Sequence, residues 1–270
     1  MERRTIAILA VVALVAVAGC SGLTGSDDPS ETEGPTDAMT DTDSPGESTT
    51  TSGGPSLADV SYPAGATEGG FDNVSAVAAG HADALAESAY AVSLSQQSTE
   101  GNRSSELRYD VRSNPDSQRV AGTLATSNYR NQWYGNATHQ HANVTTDGSS
   151  NLQVRERSTD FSENHRQETL SPTVRSVLAS GNYTATAVVE RNGETAVRYE
   201  LEAYNASENP DFETESATGT VVVGESGVVY EASLAVTGTS NGSDVSLELT
   251  YEVTETGDVS VERPAWVDDA

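Results

Sequence analysis

Val245-Ser246-Leu247-Glu248-Leu249-Thr250-Tyr251-Glu252-Val253 alternates apolar and polar side chains without a break. Successive side chains of an extended strand point to opposite faces, so this stretch predicts a long strand with one dry and one wet face. The same period recurs where Leu107, Tyr109 and Val111 alternate with Glu106, Arg108, Asp110 and Arg112, and where Val197, Tyr199 and Leu201 alternate with Arg198, Glu200 and Glu202. Shorter runs at 90–94, 120–124, 129–134, 139–144, 183–190, 218–223, 228–237 and 259–261 bring the expected total to about eleven strands. Asn192-Gly193, between 183–190 and 195–203, is the strongest short hairpin signal in the chain. Asn114-Pro115-Asp116 and Glu225-Ser226-Gly227 mark further turns, and the polar, acidic stretch 204–215 predicts a loop at the rim. The expected fold is mainly β (α+β), a single antiparallel sheet with one solvated face.

Two helices interrupt the period-two pattern. Asp72 or Asn73 can cap a first one, in which Val74, Val77, Ala78, His81 and Leu85 fall at helical spacing. A second is expected from Ser171-Pro172, with Ser as the cap, Pro at the first helical position, a stripe of Val174, Val177 and Leu178, and Gly181 as the stop. A sheet with one apolar face must cover that face, so the two helices are expected to lie on it with the sheet curling around them.

The N-terminal quarter reads differently. Arg3-Arg4 precedes a dozen apolar residues, 6–17, which is the length of a signal-peptide core and too short for the ~20 residues of a spanning helix. An uncleaved membrane helix is the competing reading, and Arg3-Arg4-Thr5-Ile6 also fits a twin-arginine signal. Val17-Ala18-Gly19-Cys20 resembles a lipobox, which implies lipidation of Cys20 and cleavage just before it. Residues 21–56 are Ser, Thr, Gly, Pro, Asp and Glu with almost no large apolar side chain, which predicts a disordered acidic tether. The expected organisation is a lipoprotein signal peptide over 1–20, a tether over 21–56 and one domain over 57–270. The localisation implied is a lipid-anchored protein on the outside of the cell membrane.

Charge narrows the partners. The 270 residues carry a formal charge of -27, and all 14 basic residues are arginine. Such a field repels nucleic acid and anionic surfaces. High acidity without lysine resembles the proteins of extreme halophiles, where carboxylates keep a surface hydrated.

The order of hairpins over 183–267 resembles the half-open barrels of the LppX/LprG-type lipoproteins and their LolA-type relatives. The resemblance is carried by the strands around Asn192-Gly193, by Thr220-Val221-Val222-Val223 with Gly227-Val228-Val229-Tyr230, by the alternating strand quoted first, and by Val259-Ser260-Val261-Glu262-Arg263-Pro264. The middle helix and the lipobox agree in order. The whole chain also resembles a family of uncharacterised haloarchaeal lipoproteins, for which the resemblance supplies no activity. The half-barrel resemblance implies an apolar cavity between sheet and helices that takes lipid acyl chains. Its lining would come from Leu107, Tyr109, Val197, Tyr199, Leu201, Leu247, Leu249 and Tyr251. A filled core that binds nothing, in a structural or interaction module of the cell envelope, is the alternative.

Catalytic motifs are sparse. No phosphate loop, Gly-x-Ser-x-Gly elbow or His-Glu-x-x-His occurs. Without lysine, and with the single cysteine in the lipobox, amine and thiol nucleophiles are excluded. His139 and His141 lie two apart on an expected strand and so share a face, which makes half a metal site that His165, His81 or carboxylates would have to complete. Two exposed strand histidines are the simpler reading, and His81 reads as a core histidine. The expectation is a non-enzymatic protein without a cofactor. Asn-x-Ser/Thr sequons at Asn73, Asn102, Asn136, Asn143, Asn182, Asn205 and Asn241 are candidate N-glycosylation sites.

Overall fold

A computed structural model describes residues 56–205 and 212–269. After a 3-10 turn at Leu57–Asp59 come two short paired strands, β1 (Ala66–Thr67) and β2 (Gly70–Phe71), and the helix α1 (Val74–Ala86). A first meander follows: β3 (Ala89–Glu100), β4 (Arg103–Asn114), β5 (Arg119–Thr126), β6 (Tyr129–Gly135), β7 (His139–Thr146) and β8 (Ser149–Glu156). Helices α2 (Phe161–Gln167) and α3 (Ser171–Ala179) lead to a second meander: β9 (Gly181–Arg191), β10 (Glu194–Tyr204), β11 (Phe212–Gly224), β12 (Val229–Ser240) and β13 (Ser243–Gly257).

The meanders form one antiparallel sheet of eleven strands, in the order β8-β7-β6-β5-β4-β3-β13-β12-β11-β10-β9. Its seam is the pairing of β3 with β13, where Leu94 faces Tyr251 and Val92 faces Val253. β8 and β9 are the two free edges, so the sheet is not closed. Asn192 and Gly193 adopt φ of 49° and 82°, the left-handed pair that a two-residue hairpin needs to match strand twist.

One face of the sheet is covered by the helices. The chain leaves the β8 edge, crosses that face as α2 and α3, and re-enters at the β9 edge, with α3 packed on α1, β9 and β12. Asn73 caps α1 through Oδ1, which accepts the Ala76 N–H at 3.0 Å, and α1 buries Val77, Ala78, His81, Ala82 and Leu85. Of these, Val77 and Leu85 join Tyr90, Val92, Tyr199, Val221, Ala232 and Tyr251 in one core, and His81 packs edge-on to Tyr251. Full burial of side chains of this kind contributes ~1.5–3 kcal/mol each, and this layer is where the fold gains most.

Several expectations change. Residues 259–261 do not form a strand: β13 is paired on both sides, so no free edge is left beside it. Instead Val259 packs on Ala89 and Ala91, and Val261 and Val267 pack on Tyr134, all on the face opposite the helices. The eleventh strand is β8, and α2 is a further short helix. β11 begins at Phe212, inside the stretch expected as a loop. Ser171 lies within α3, and the cap position is Leu170, at φ 57° with no side-chain cap bond. Gly181 does not stop α3 through a left-handed turn; it opens β9 at a place where a Cβ would meet the Ala203 carbonyl oxygen at 2.1 Å. The signal peptide, Cys20 and nearly all of the tether lie outside the described residues.

Candidate functional site

The covered face has a fully buried part beneath the helices and a part whose side chains are only partly buried. In the fully buried part, two histidines join the layers. His81 is 0 % exposed. Its Nδ1 accepts the Val229 N–H at 3.1 Å, which places the ring proton on Nε2. That nitrogen lies 3.2 Å from the Thr169 carbonyl oxygen and 3.0 Å from the Tyr251 hydroxyl, and the hydroxyl itself donates to Thr169 O at 3.1 Å. Burial lowers the His81 pKa to about 4, so the ring is neutral at ordinary pH. His165 is held in the same tautomer: Nε2 donates to Ser88 O at 3.1 Å, and Nδ1 lies 2.6 Å from the Ser113 hydroxyl. Burial lowers its pKa also. Both histidines have their nitrogens spent on protein partners.

Beside them sits a polar node. The Tyr109 hydroxyl donates to Glu168, and the Asn164 amide donates to the other Glu168 oxygen at 3.4 Å. Arg157 reaches in from the β8–α2 connection, donating to Asn136 O at 2.9 Å and to Asn164 Oδ1 at 2.8 Å. Burial raises the Glu168 pKa against the lowering effect of these hydrogen bonds and of the Arg157 charge. Trp133 stacks obliquely on Tyr109, with ring centroids 5.2 Å apart, and lies over Gly122, where a Cβ would meet the indole ring at 2.2 Å. Trp133 Nε1 and Asn131 Oδ1, on the same face, are buried with no partner among the described residues.

Beyond the helices, toward the rim formed by the β3–β4, β7–β8 and β12–β13 turns, the covered face keeps apolar side chains that are only partly buried. Leu107, Leu124, Trp133, Leu201 and Leu247 are of this kind. The eight expected cavity residues therefore divide. Tyr109, Val197, Tyr199, Leu249 and Tyr251 are buried in the packed core, with Tyr199 against Phe71 at 4.5 Å between centroids and Tyr251 edge-on to His81. Leu107, Leu201 and Leu247 stay on the partly open strip. Leu124 and Trp133 continue that strip on β5 and β6. Their pairing with Tyr109 and Gly122 is a register fact that single-strand alternation does not supply.

A depression of about 340 Å³ lies over β10–β13. Most of its lining, including Glu200, Thr220, Ser233 and Glu248, belongs to the side of the sheet opposite the helices. It is open and bordered by carboxylates.

His139 and His141 do share a face, with ring centroids 6.5 Å apart. His81 and His165 are committed elsewhere, and among the described residues no three His, Cys, Asp or Glu side chains are grouped to hold a metal. Burial lowers the His141 pKa, with the Arg263 charge adding to it. The sequons separate by environment. Asn102, Asn182, Asn205 and Asn241 are exposed. The β3–β4 and β12–β13 turns that carry Asn102 and Asn241 meet through a Gly101 N–H to Asp244 O bond of 2.9 Å, and Asn182 and Asn205 lie where β9 begins and β10 ends, on the same rim. Asn73 is exposed but serves as a helix cap, Asn136 Oδ1 accepts from Thr138 and His139, and Asn143 Oδ1 is buried.

A family model described as a family of unknown function, DUF7537, matches residues 5–270. No curated protein matches the sequence. Among solved structures the chain is similar to the Mycobacterium tuberculosis lipoprotein LppX, at 14% identity and a TM-score of 0.31, over 70% of this chain and 98% of that one. It is also similar to a structure of the Pseudomonas aeruginosa MucA/MucB complex, at 11% identity and 0.32, over 70% of this chain and 59% of that one, so it spans less than two thirds of that neighbour. A DUF1329 family protein from Desulfovibrio piger aligns at 9% identity and 0.26, over 70% of this chain and 95% of that one.

Proposed function

Because the chain belongs to DUF7537, a family of unknown function, its role has to come from its own surfaces, and we propose that it is a membrane-anchored extracellular protein that binds an apolar or amphipathic ligand without chemical turnover. The observation that carries this is the half-covered strip of Leu107, Leu124, Trp133, Leu201 and Leu247, which the helices leave open to solvent on an otherwise acidic protein. Water contact along apolar side chains is a cost that a ligand's hydrocarbon would relieve at ~25 cal/mol per Å². Trp133 Nε1 and Asn131 Oδ1 give the strip a donor and an acceptor at its β6 end, where a ligand's polar group would be satisfied. Titration of the full chain with N-phenyl-1-naphthylamine tests the strip. Saturable fluorescence enhancement that falls about tenfold in Leu247→Glu supports it, and no enhancement in the wild-type chain contradicts it.

Lipidation of Cys20 supplies the anchor and the acidic residues after it the tether. Cys20→Ser then moves the protein from the membrane fraction to the medium, and unchanged detergent partitioning contradicts the anchor. Of the seven sequons, the four exposed asparagines at the rim beyond the helices, Asn102, Asn182, Asn205 and Asn241, are the ones proposed to carry glycans, and the carboxylate-rich surface is proposed as an adaptation to high salt. A second reading, a structural or interaction module of the envelope with no ligand, is favoured by the packing beneath the helices, where Leu85, Tyr90, Val174, Tyr199 and Tyr251 are fully enclosed.

A further inference from the structure

The two edges of the sheet are treated differently. At β9 the edge is screened: the Ala185 N–H donates to Glu68 O at 3.1 Å, and Gly70 lies so close to the Tyr183 carbonyl that a Cβ would meet its oxygen at 2.2 Å. At β8 nothing among the described residues lies alongside, and every residue of the strand is exposed. An open strand edge is a template for another strand, and proteins that keep theirs unpaired usually blunt it with charge, proline or a bulge. β8 has no proline and no register shift against β7, and its only charges are Arg155 and Glu156.

Two further observations say what fits there. Leu152, at 37%, and Val154, at 47%, are the exposed large apolar side chains of the described residues, and both stand on the same face of this one strand. Charge is also unusual locally. Residues 119–157 carry four arginines against Asp147 and Glu156, a net of +2, in a chain of net -27. Two carboxylate-rich faces of the molecule repel each other strongly, whereas two copies of this wing meet at only +2 against +2, and β8 itself carries one charge of each sign.

We infer that β8 is a homotypic pairing edge, joining two copies of the chain by antiparallel β8–β8 addition about a two-fold axis at Gln153. The register follows from the chemistry. The Arg157 N–H donates to Thr138 O at 2.8 Å on the β7 side. By the alternation of an antiparallel ladder, residues 153 and 155 also bond to β7, and the N–H and C=O groups of Ser150, Leu152, Val154 and Glu156 face outward. Leu152 then exchanges both backbone bonds with Val154 of the second copy, and Val154 with Leu152. This places four apolar side chains together on the face away from the helices. Arg155 falls opposite Asn151 and Glu156 opposite Ser150, so no like charges meet. Shifting the axis by one residue places Leu152 against Glu156 or leaves Val154 against Ser150. Gln153 meets its own copy as a non-hydrogen-bonded pair, with Cα atoms about 4.5 Å apart. The pairing is independent of whether the strip on the other face holds a ligand.

Cysteine scanning in the membrane-borne full chain tests this, with the wild-type chain as control for Cys20. Mild oxidation of Gln153→Cys is expected to give a disulfide dimer of twice the chain mass, about tenfold more than Asn151→Cys, whose partner position is 155, because only the former brings two Cα atoms within disulfide range. Adding Val154→Lys to Gln153→Cys is expected to abolish the dimer. Equal crosslinking at 151 and 153, no crosslinking at either, or a Gln153→Cys adduct of some other mass would overturn the homotypic pairing; the last outcome would assign the edge to a different protein.

Discussion

The two meanders make the same kind of strand but different surfaces. From β9 to β13, residues 181–257, fourteen carboxylates stand against two arginines; from β3 to β8, residues 89–156, six stand against six. The acidic meander screens its edge and gives the deep core Val197, Tyr199, Val221 and Tyr251. The near-neutral one ends on a bare strand and meets the helix layer through polar groups, its Tyr109 donating to Glu168 at the end of α2 while Arg157, just after β8, donates to Asn164 on α2. A sheet that is stabilised at its seam and on one wing can leave the other wing free for contacts that cost it little stability.

The seam and the edge should respond very differently to truncation. Tyr251→Ala removes a fully buried ring together with the hydroxyl that holds Thr169 and His81, and should cost about 4 kcal/mol in denaturant unfolding, against ~0.5 kcal/mol or less for Val154→Ala. Comparable losses at the two positions would break the comparison. Next in size is acid. His81 is buried neutral, with its pKa lowered to about 4 from an ordinary 6.5, so below pH 6.5 the unfolded chain takes up a proton that the folded chain refuses. The contribution of His81 should therefore lower stability by about 3 kcal/mol between pH 7 and pH 4, with His165 adding in the same direction and Glu168, whose pKa is raised, opposing it; a flat difference between wild type and His81→Gln over that window would contradict the buried-neutral assignment. Within the near-neutral wing, Gly122→Val pushes against the Trp133 indole and should cost about 2 kcal/mol while quenching or shifting the indole fluorescence. Smallest is the Arg112–Glu255 pair across the seam, whose side chains are about half exposed. Glu255→Gln should change stability by ~0.5 kcal/mol or less, and less still at high salt.

Much of the sheet was legible because its strands write their facing into alternation. Leu247, Leu249, Tyr251 and Val253 pointed to one dry face, and Asn192-Gly193 to its hairpin, for reasons of backbone geometry alone. β8 was not legible that way. On an exposed edge neither face of Ser149–Glu156 has to be apolar throughout, so Leu152 and Val154 make too short a pattern. The available signal was Asp147-Gly148, which adopts φ of 48° and 80° and closes the β7–β8 hairpin as Asn192-Gly193 closes β9–β10. The segment 259–261 misled for the converse reason: its alternating valines do face apolar surface, but on the outside of a sheet whose nearest strand has no free edge. For the candidate site, alternation identified which side chains share the covered face. It could not say where the helices stop, and that decides that Tyr199 and Tyr251 are core while Leu107, Leu201 and Leu247 remain part-open.

Native mass spectrometry of the full chain, extracted from its own membranes in mild detergent, bears most directly on the proposed role. A population heavier than the anchored chain by one apolar ligand is expected, released on collisional activation and absent from Leu247→Glu. A wild-type chain that appears only at its anchored mass would contradict ligand binding and leave the envelope-module reading standing.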